Sequence, residues 1–404
     1  MVSFIALSLP GRCLTVRSMS HLARWLRAVV LSLQIYCPPW SRVTPMSPEP
    51  ASFLPQTLDD VQRKYLLNDL LRGVSRSFYL TLKVLPQPLR EPISVAYLLA
   101  RAADTIADTE IVAAEQRRAA LLHLRAQLVA DERSHAVLEQ LQSAFVGKLD
   151  HALEKALLTK LPPLFELLAR QTVPDRALIS KVVLTLLDGM LSDLENFPAP
   201  AASQLTITAL SDQRELDRYT YRVAGCVGEF WTDISIAHID ALQGWHAQQA
   251  RYSQLGIRFG KALQLTNILR DVPRDLRIGR CYLPQPWLDE VGLSADELLK
   301  ITRSEMARPL LTRGTGIALD HYSAAEQYVV ALPRRCLRLR LAALWPMLIG
   351  LKTLALLSQQ SNWLDPANPC KVERKWIYRM MLLSCGAVFS NTLLRWWCRR
   401  LRQR

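Results

Sequence analysis

Two pairs of aspartates stand out among the residues that could do chemistry: Asp104-Thr-Ile-Ala-Asp108 and Asp271-Val-Pro-Arg-Asp275. Within each pair the carboxylates are four residues apart, which puts them on one face of a helix about one turn apart. The first pair extends backwards along the same stripe through Tyr97 and Arg101, the second through Gln264 and Asn267. Both stripes run through apolar or small residues, Val95 to Ala107 and Leu263 to Leu269. Carboxylates in such surroundings need compensating positive charge. A hard divalent cation that also holds a substrate diphosphate suits them: Mg²⁺, with Mn²⁺ as a substitute, takes a few carboxylates and shares its other positions with phosphate oxygens and water.

The chain as a whole reads as all-α. It has 404 residues, few glycines (15) and long apolar-periodic segments, with no strand alternation or hairpin signal. Helices are predicted over Thr57–Leu71, Ser75–Leu85, Glu91–Thr109, 112–130, 134–147, 149–159, 175–193, Asp212–Ile239, Ala247–Val272, 294–306, 308–331, 334–358 and 371–398. Pro273 lacks the amide that would bond Leu269 and is expected to end or kink its helix, leaving Asp275 on a loosened turn. No boundary divides residues 59–370, which read as one domain with a core large enough to enclose a deep cavity.

The net charge of +14 is concentrated at the ends. Residues 1–48 hold five Arg and no acid; residues 371–404 hold nine Lys or Arg and one Glu; the stretch between carries only +1. Residues 1–58, acid-poor and closing in a Pro-rich run, read as an N-terminal extension: a targeting segment or, by preference, an upstream extension of a chain that begins near Met46. Residues 371–404 form a basic, Trp-rich end. No nucleic-acid module is recognisable, so the basic end suits anionic lipid. Leu341–Leu357 is interrupted by Lys352, and Met380–Leu394 is too short to span a bilayer. Trp376–Trp397, with Trp and Arg at both ends, suits a helix lying on a membrane surface, or equally a core helix with a solvated tail. Eight scattered Cys without a C-x-x-C pair point to a reducing compartment, and the expected location is the cytoplasmic face of a membrane. No Ser-His-Asp or Cys-His arrangement and no Gly-x-Gly-x-x-Gly fingerprint is visible.

Between the stripes, Ala224, Gly225 and Gly228 are small residues at helical spacing. They allow either close helix packing or a smooth surface against which a chain-shaped ligand lies.

Taken in order, Ser75-Arg-Ser-Phe78, Tyr97-x3-Arg101-x2-Asp104-x3-Asp108, Tyr-x-Tyr-x-Val-Ala-Gly225 and Gln264-x2-Asn267-x2-Arg270-Asp271-x3-Asp275-x4-Arg280-x-Tyr282-Leu-Pro284 resemble the squalene/phytoene synthase family. Lys371–Tyr378 is similar to the late segment of bacterial members. The resemblance implies an isoprenoid-synthase helical bundle. It also implies joining two farnesyl diphosphates head to head, through presqualene diphosphate, to squalene with NADPH as reductant. The alternatives are a phytoene or dehydrosqualene synthase, an enzyme that stops at presqualene diphosphate, and a catalytically silent membrane-associated relative. It implies Mg²⁺ at Asp104, Asp108, Asn267, Asp271 and Asp275, and diphosphate held by Ser75, Arg76, Arg101, Arg270, Arg280 and Gln264. Phe78 and Tyr97 would line the path of the cation. A monomer is expected.

Two departures from the family pattern matter. Where many members have Tyr before Val-Ala-Gly, this chain has Arg222; Tyr221 would take over that role, or Arg222 would hold phosphate, and Tyr221 is preferred because an apolar pocket tolerates a phenol better than a guanidinium. Arg274 replaces the acidic residue often found before the last aspartate.

Overall fold

The architecture was obtained as a computed structural model. It describes residues 58–75, 78–130, 134–197 and 207–403, so the N-terminal extension and Arg76 lie outside the described residues, as does the side chain of Phe78.

The helices in chain order are α1 (Asp60–Lys64), α2 (Leu71–Ser75), α3 (Phe78–Val84), α4 (Gln87–Asp108), α5 (Ala114–Val129), α6 (His135–Phe145), α7 (Ala152–Thr159), α8 (Leu161–Ala169) and α9 (Val173–Asn196). They continue with α10 (Gln213–Thr220), α11 (Cys226–His238), α12 (Gln249–Asp275), α13 (Gln285–Glu290), α14 (Arg308–Ala331), α15 (Leu337–Gln359), α16 (Arg374–Ala387) and α17 (Asn391–Arg402). From Gln56 onward the chain clusters into one compact unit that includes the two C-terminal helices.

The long helices α4, α9, α11, α12, α14 and α15 surround a central cavity, and local sequence explains their placement. Pro88 in the first turn of α4 sits where its missing amide costs nothing. Asp59, Thr172 and Asp212 cap the starts of α1, α9 and α10 by accepting the amides of Gln62, Asp175 and Glu215. Helices α11 and α12 cross at glycine: a Cβ added at Gly228 would lie 1.9 Å from the Gly256 carbonyl oxygen, and one at Gly260 would lie 2.1 Å from the Ala224 oxygen. Close helix packing therefore accounts for the small residues after Tyr221, and Ala224, Gly228, Gly256 and Gly260 also face the cavity.

Several predicted elements are corrected. The helix expected over Asp212–Ile239 is split by a π-helical turn, Tyr221–Gly225, between α10 and α11. Pro273 does not stop α12, which continues to Asp275 before a 3₁₀ turn, Leu276–Ile278. So close to the helix end, little ladder remains for the proline to break. Gly279, at φ 80°, then redirects the chain. Residues Arg280–Pro284 form a strand, β2, parallel to β1 (Thr208–Leu210), with Thr208 opposite Arg280 and Ala209 opposite Cys281. Strands this short leave no periodic signal. The single helix expected over 371–398 is two, with Ser390 capping α17 through the Leu393 amide. Among the described residues α15 alone is long and apolar enough to cross a membrane, but 72% of its apolar stretch is buried, and Ala342, Ala343 and Pro346 line the cavity. It is a core helix.

Candidate active site

The cavity has a volume of about 710 Å³, in the upper part of the usual range for ligand pockets. Its wall is mostly apolar, with Leu186, Val223, Val227, Phe230, Trp231 and Leu263 among the lining residues. Its polar groups include Tyr97, Arg101, Asp104 and Asp108 on α4, Asp193 on α9, Tyr219 on α10, Gln264 and Asn267 on α12, and Arg280 and Tyr282 on β2.

Along α4 the 3.6-residue period carries the stripe into the cavity wall. Arg101 pairs with Asp104 on one side and donates to Glu154 of α7 at 2.8 Å on the other. Burial, and next the charge of Asp108, push the Asp104 carboxyl up to about 6. Burial raises Asp108 as well, against the nearby cations Arg280 and Arg101. The last turn of α4 is tied down from behind: the buried Arg117 donates to the Ala107 carbonyl at 2.6 Å.

Along α12, Gln264 and Asn267 reach the cavity wall. Asp271 and Asp275 lie one and two turns further on, outside that lining. Asp271 is gripped by its neighbour Arg270, Nε to Oδ1 at 2.8 Å and NH2 to Oδ2 at 2.5 Å. Burial, then the charge of Asp271, push Asp275 up to about 7. Among the described residues no three acidic, His or Cys side chains come close enough to cage a metal. The donor set still fits a hard cation: it is all oxygen, it is split between two helices, and burial holds Asp104, Asp108 and Asp275 above the ordinary carboxylate range, where a bound cation would favour their charged form. A cation shared with a diphosphate and water meets that need without a protein cage.

The other sequence-chosen residues fall differently. The Ser75 hydroxyl turns back to the Leu71 carbonyl at 2.5 Å and is absent from the cavity lining. Tyr97 lines the cavity and its hydroxyl donates to the Val74 carbonyl at 3.3 Å. Neither Tyr221 nor Arg222 faces the cavity, which corrects the expected orientation of both. The Tyr221 hydroxyl donates to Glu229 at 2.9 Å and is pushed up to about 12, by burial first and then by that carboxylate. Arg222 bonds the Ser192 hydroxyl. In this segment the tyrosine that lines the cavity is Tyr219, two residues before the π-helical turn begins to alter the phase.

Tyr219 belongs to a cluster that the sequence did not reveal. Its ring stacks on Tyr282 with centroids 4.7 Å apart, and both hydroxyls donate to Asp193 Oδ2, at 3.4 Å and 2.8 Å. Arg280 lies 3.9 Å from the same carboxylate. Burial pushes Asp193 up to about 6, and its second oxygen is buried without a hydrogen-bond partner. Asp193 has no acidic partner four residues away, so nothing in the sequence marked it. Glu154, which holds Arg101, was equally unmarked.

Comparison with known proteins adds the family. A bifunctional lycopene cyclase/phytoene synthase of Phaeosphaeria nodorum is 30% identical over 266 residues, covering 65% of this chain and 41% of that protein. The chain thus spans about two fifths of that relative. A presqualene diphosphate synthase of Rhodopseudomonas palustris is 28% identical over 271 residues, covering 66% of this chain and 78% of that one. A solved TcSQS chain in complex with the ligand E5700 superposes with a TM-score of 0.66 at 20% identity, covering 83% of this chain and 90% of that chain. The squalene/phytoene synthase family model matches residues 71–376. With its helical fold and its aspartate stripes, this chain belongs to the squalene/phytoene synthase family.

Proposed function

We propose that this protein joins two farnesyl diphosphates head to head to presqualene diphosphate and, supplied with NADPH, reduces that intermediate to squalene. The observation that carries the condensation is the polarity of the cavity. Carboxylates and arginines of α4, α9 and β2 line it beside a mostly apolar wall, as a diphosphate joined to a prenyl chain requires.

In this reading Arg101 and Arg280 receive diphosphate oxygens, a task suited to the planar guanidinium fork. Asp104, Asp108, Asn267, Asp271 and Asp275 would hold Mg²⁺, which when bound neutralises the departing diphosphate. The C1–O bond of the first substrate breaks and its electron pair leaves with the diphosphate. The C2–C3 double bond of the second substrate then attacks C1. Loss of one proton closes the cyclopropane ring. The apolar wall keeps water from the cation, and the aromatic faces of Tyr97, Phe230 and Trp231 stabilise it. Asp193 holds Arg280 and the hydroxyls of Tyr219 and Tyr282 in place at one side of the cavity.

A twenty-carbon substrate, giving phytoene, is the second reading, favoured by the name of the fungal relative. The test is incubation of the purified chain with Mg²⁺ and farnesyl or geranylgeranyl diphosphate, with and without NADPH, followed by product identification. Diphosphate release with presqualene diphosphate, converted to squalene on adding NADPH, is expected. Phytoene from the longer substrate alone would establish the second reading, and no diphosphate release from either would overturn both.

A further inference from the structure

The C-terminal helices have a fixed inner face. Against α15 they bury Met380, Met381 and Ser384 of α16 and Leu394, Cys398 and Leu401 of α17. Trp345 Nε1 donates to the Ser384 hydroxyl at 2.8 Å, and the fully buried Arg340 donates to Asn391 Oδ1 at 2.7 Å. The opposite face is uncovered. Leu382 is 64% exposed, Leu383 59%, Phe389 40%, Leu393 50% and Trp396 58%. Single exposed apolar residues are ordinary. Here six of the fifteen large ones among the described residues fall between Tyr378 and Trp396, and such a cluster marks an interaction surface.

The charge around this cluster narrows the partner. Arg374, Lys375 and Arg379 at the start of α16 and Arg395, Arg399 and Arg400 on α17 are all exposed, and the only acid in residues 371–403 is Glu373. A second copy of the same face would set these cations against each other, which disfavours self-association. At 14 and 12 residues, α16 and α17 are roughly 21 Å and 18 Å long. Neither reaches across the ~30 Å hydrocarbon core of a bilayer.

We infer that this face docks on the surface of an anionic lipid bilayer. Leu382, Phe389, Leu393 and Trp396 enter the boundary between headgroups and acyl chains, and the arginines meet the headgroup phosphates. The helices lie on the membrane and do not span it. This inference goes beyond the proposed reaction and does not depend on it.

The test uses the full chain and sedimentation with vesicles of phosphatidylcholine, alone or mixed with phosphatidylglycerol. The wild type is expected to bind the mixed vesicles, to bind neutral ones far more weakly, and to be released as salt rises. Arg395→Glu/Arg399→Glu/Arg400→Glu should weaken binding at least about thirtyfold, since each basic residue near an anionic surface contributes appreciably. Leu393→Asp/Trp396→Asp should weaken it about tenfold or more. All the changed side chains are exposed, so both variants should keep the wild-type circular dichroism and melting temperature; this control distinguishes lost docking from lost folding. Three results would each overturn the inference. They are a wild type that ignores phosphatidylglycerol vesicles at low salt, folded variants that bind as the wild type does, and a dimer in sedimentation velocity that Leu393→Asp/Trp396→Asp dissociates. The last would assign the face to a second copy.

Discussion

Replacing Gly228 by Ala tests whether the α11–α12 crossing sets the shape of the cavity. The added methyl would sit 1.9 Å from the Gly256 carbonyl oxygen and 2.5 Å from its carbon. Both are backbone atoms, so no side chain can swing aside. Even a tight contact needs about 3.0 Å, so the helices must part by roughly 1 Å. Overpacking of this kind costs about 1–3 kcal/mol or more. The better helix propensity of Ala returns at most about 1 kcal/mol. The net loss, up to about 2 kcal/mol, lowers the melting temperature by up to roughly 4 °C, at roughly 1–2 °C per kcal/mol for a chain of this size. The shift also moves α12, which carries Gln264 and Asn267 two to three turns further along, so prenyl turnover should fall with stability. Gly316→Ala is the control: it lies on an exposed face of α14, and its added methyl would meet nothing within 4 Å. That variant should melt about 1–2 °C higher and turn over normally. Calorimetry on the two purified variants decides the matter. A Gly228→Ala protein that melts at or above the wild type would refute the reasoning.

Further outcomes follow from the site. Asp104→Asn and Asp271→Asn, made singly, should each lower Mg²⁺-dependent diphosphate release at least about a hundredfold while the fold survives, and near-normal release in either would remove that residue from the metal set. Tyr219→Phe should slow turnover roughly tenfold by taking a donor from Asp193, whereas Tyr221→Phe should be mild because that hydroxyl is engaged by Glu229; the reverse order in steady-state kinetics would mean that the π-helical turn does not set the orientation. Glu154→Gln should raise KM for the diphosphate more than it lowers kcat, since Arg101 loses a 2.8 Å carboxylate that holds it in place. In the ligand-free protein the folded state keeps a proton on Asp193, pushed up to about 6, at pH values where the unfolded chain has lost it. Its contribution is therefore fully present below about pH 4 and is lost as pH rises through about 6, on the order of 2–3 kcal/mol. The slope of melting temperature against pH in that window should flatten in Asp193→Asn.

The sequence made the α4 stripe legible because Tyr97, Arg101, Asp104 and Asp108 fall on one unbroken 3.6-residue period, and α12 kept its period as far as Asn267. Legibility ended where the backbone departs from a regular helix. The π-helical turn at Tyr221–Gly225 broke the assumption of 100° per residue, so the wrong tyrosine was aimed at the cavity. β2 escaped notice because five residues, paired with a strand seventy positions earlier, carry no local signature. Asp193 and Glu154 were invisible for another reason. Neither has an acid one turn away on its own helix, and its importance comes from partners, Arg280 and Arg101, that only tertiary packing brings near. The basic C-terminal end was readable as charge, but its division into an inner and an outer face was not, because that depends on α15.

α15 also bears on how the pocket exchanges its contents. A segment apolar enough to sit in a bilayer instead forms part of the cavity wall. In partition terms the cavity is a small oil phase with charged groups in one part of its wall. A prenyl chain gains about 0.8 kcal/mol per methylene on leaving water for such a phase, and the same on entering lipid, so transfer between the two oils is nearly neutral while transfer to water is strongly opposed. On the proposed reading, a product that has lost its diphosphate is no longer held by Arg101 and Arg280, and the pocket would empty only as fast as another oil phase accepts the hydrocarbon.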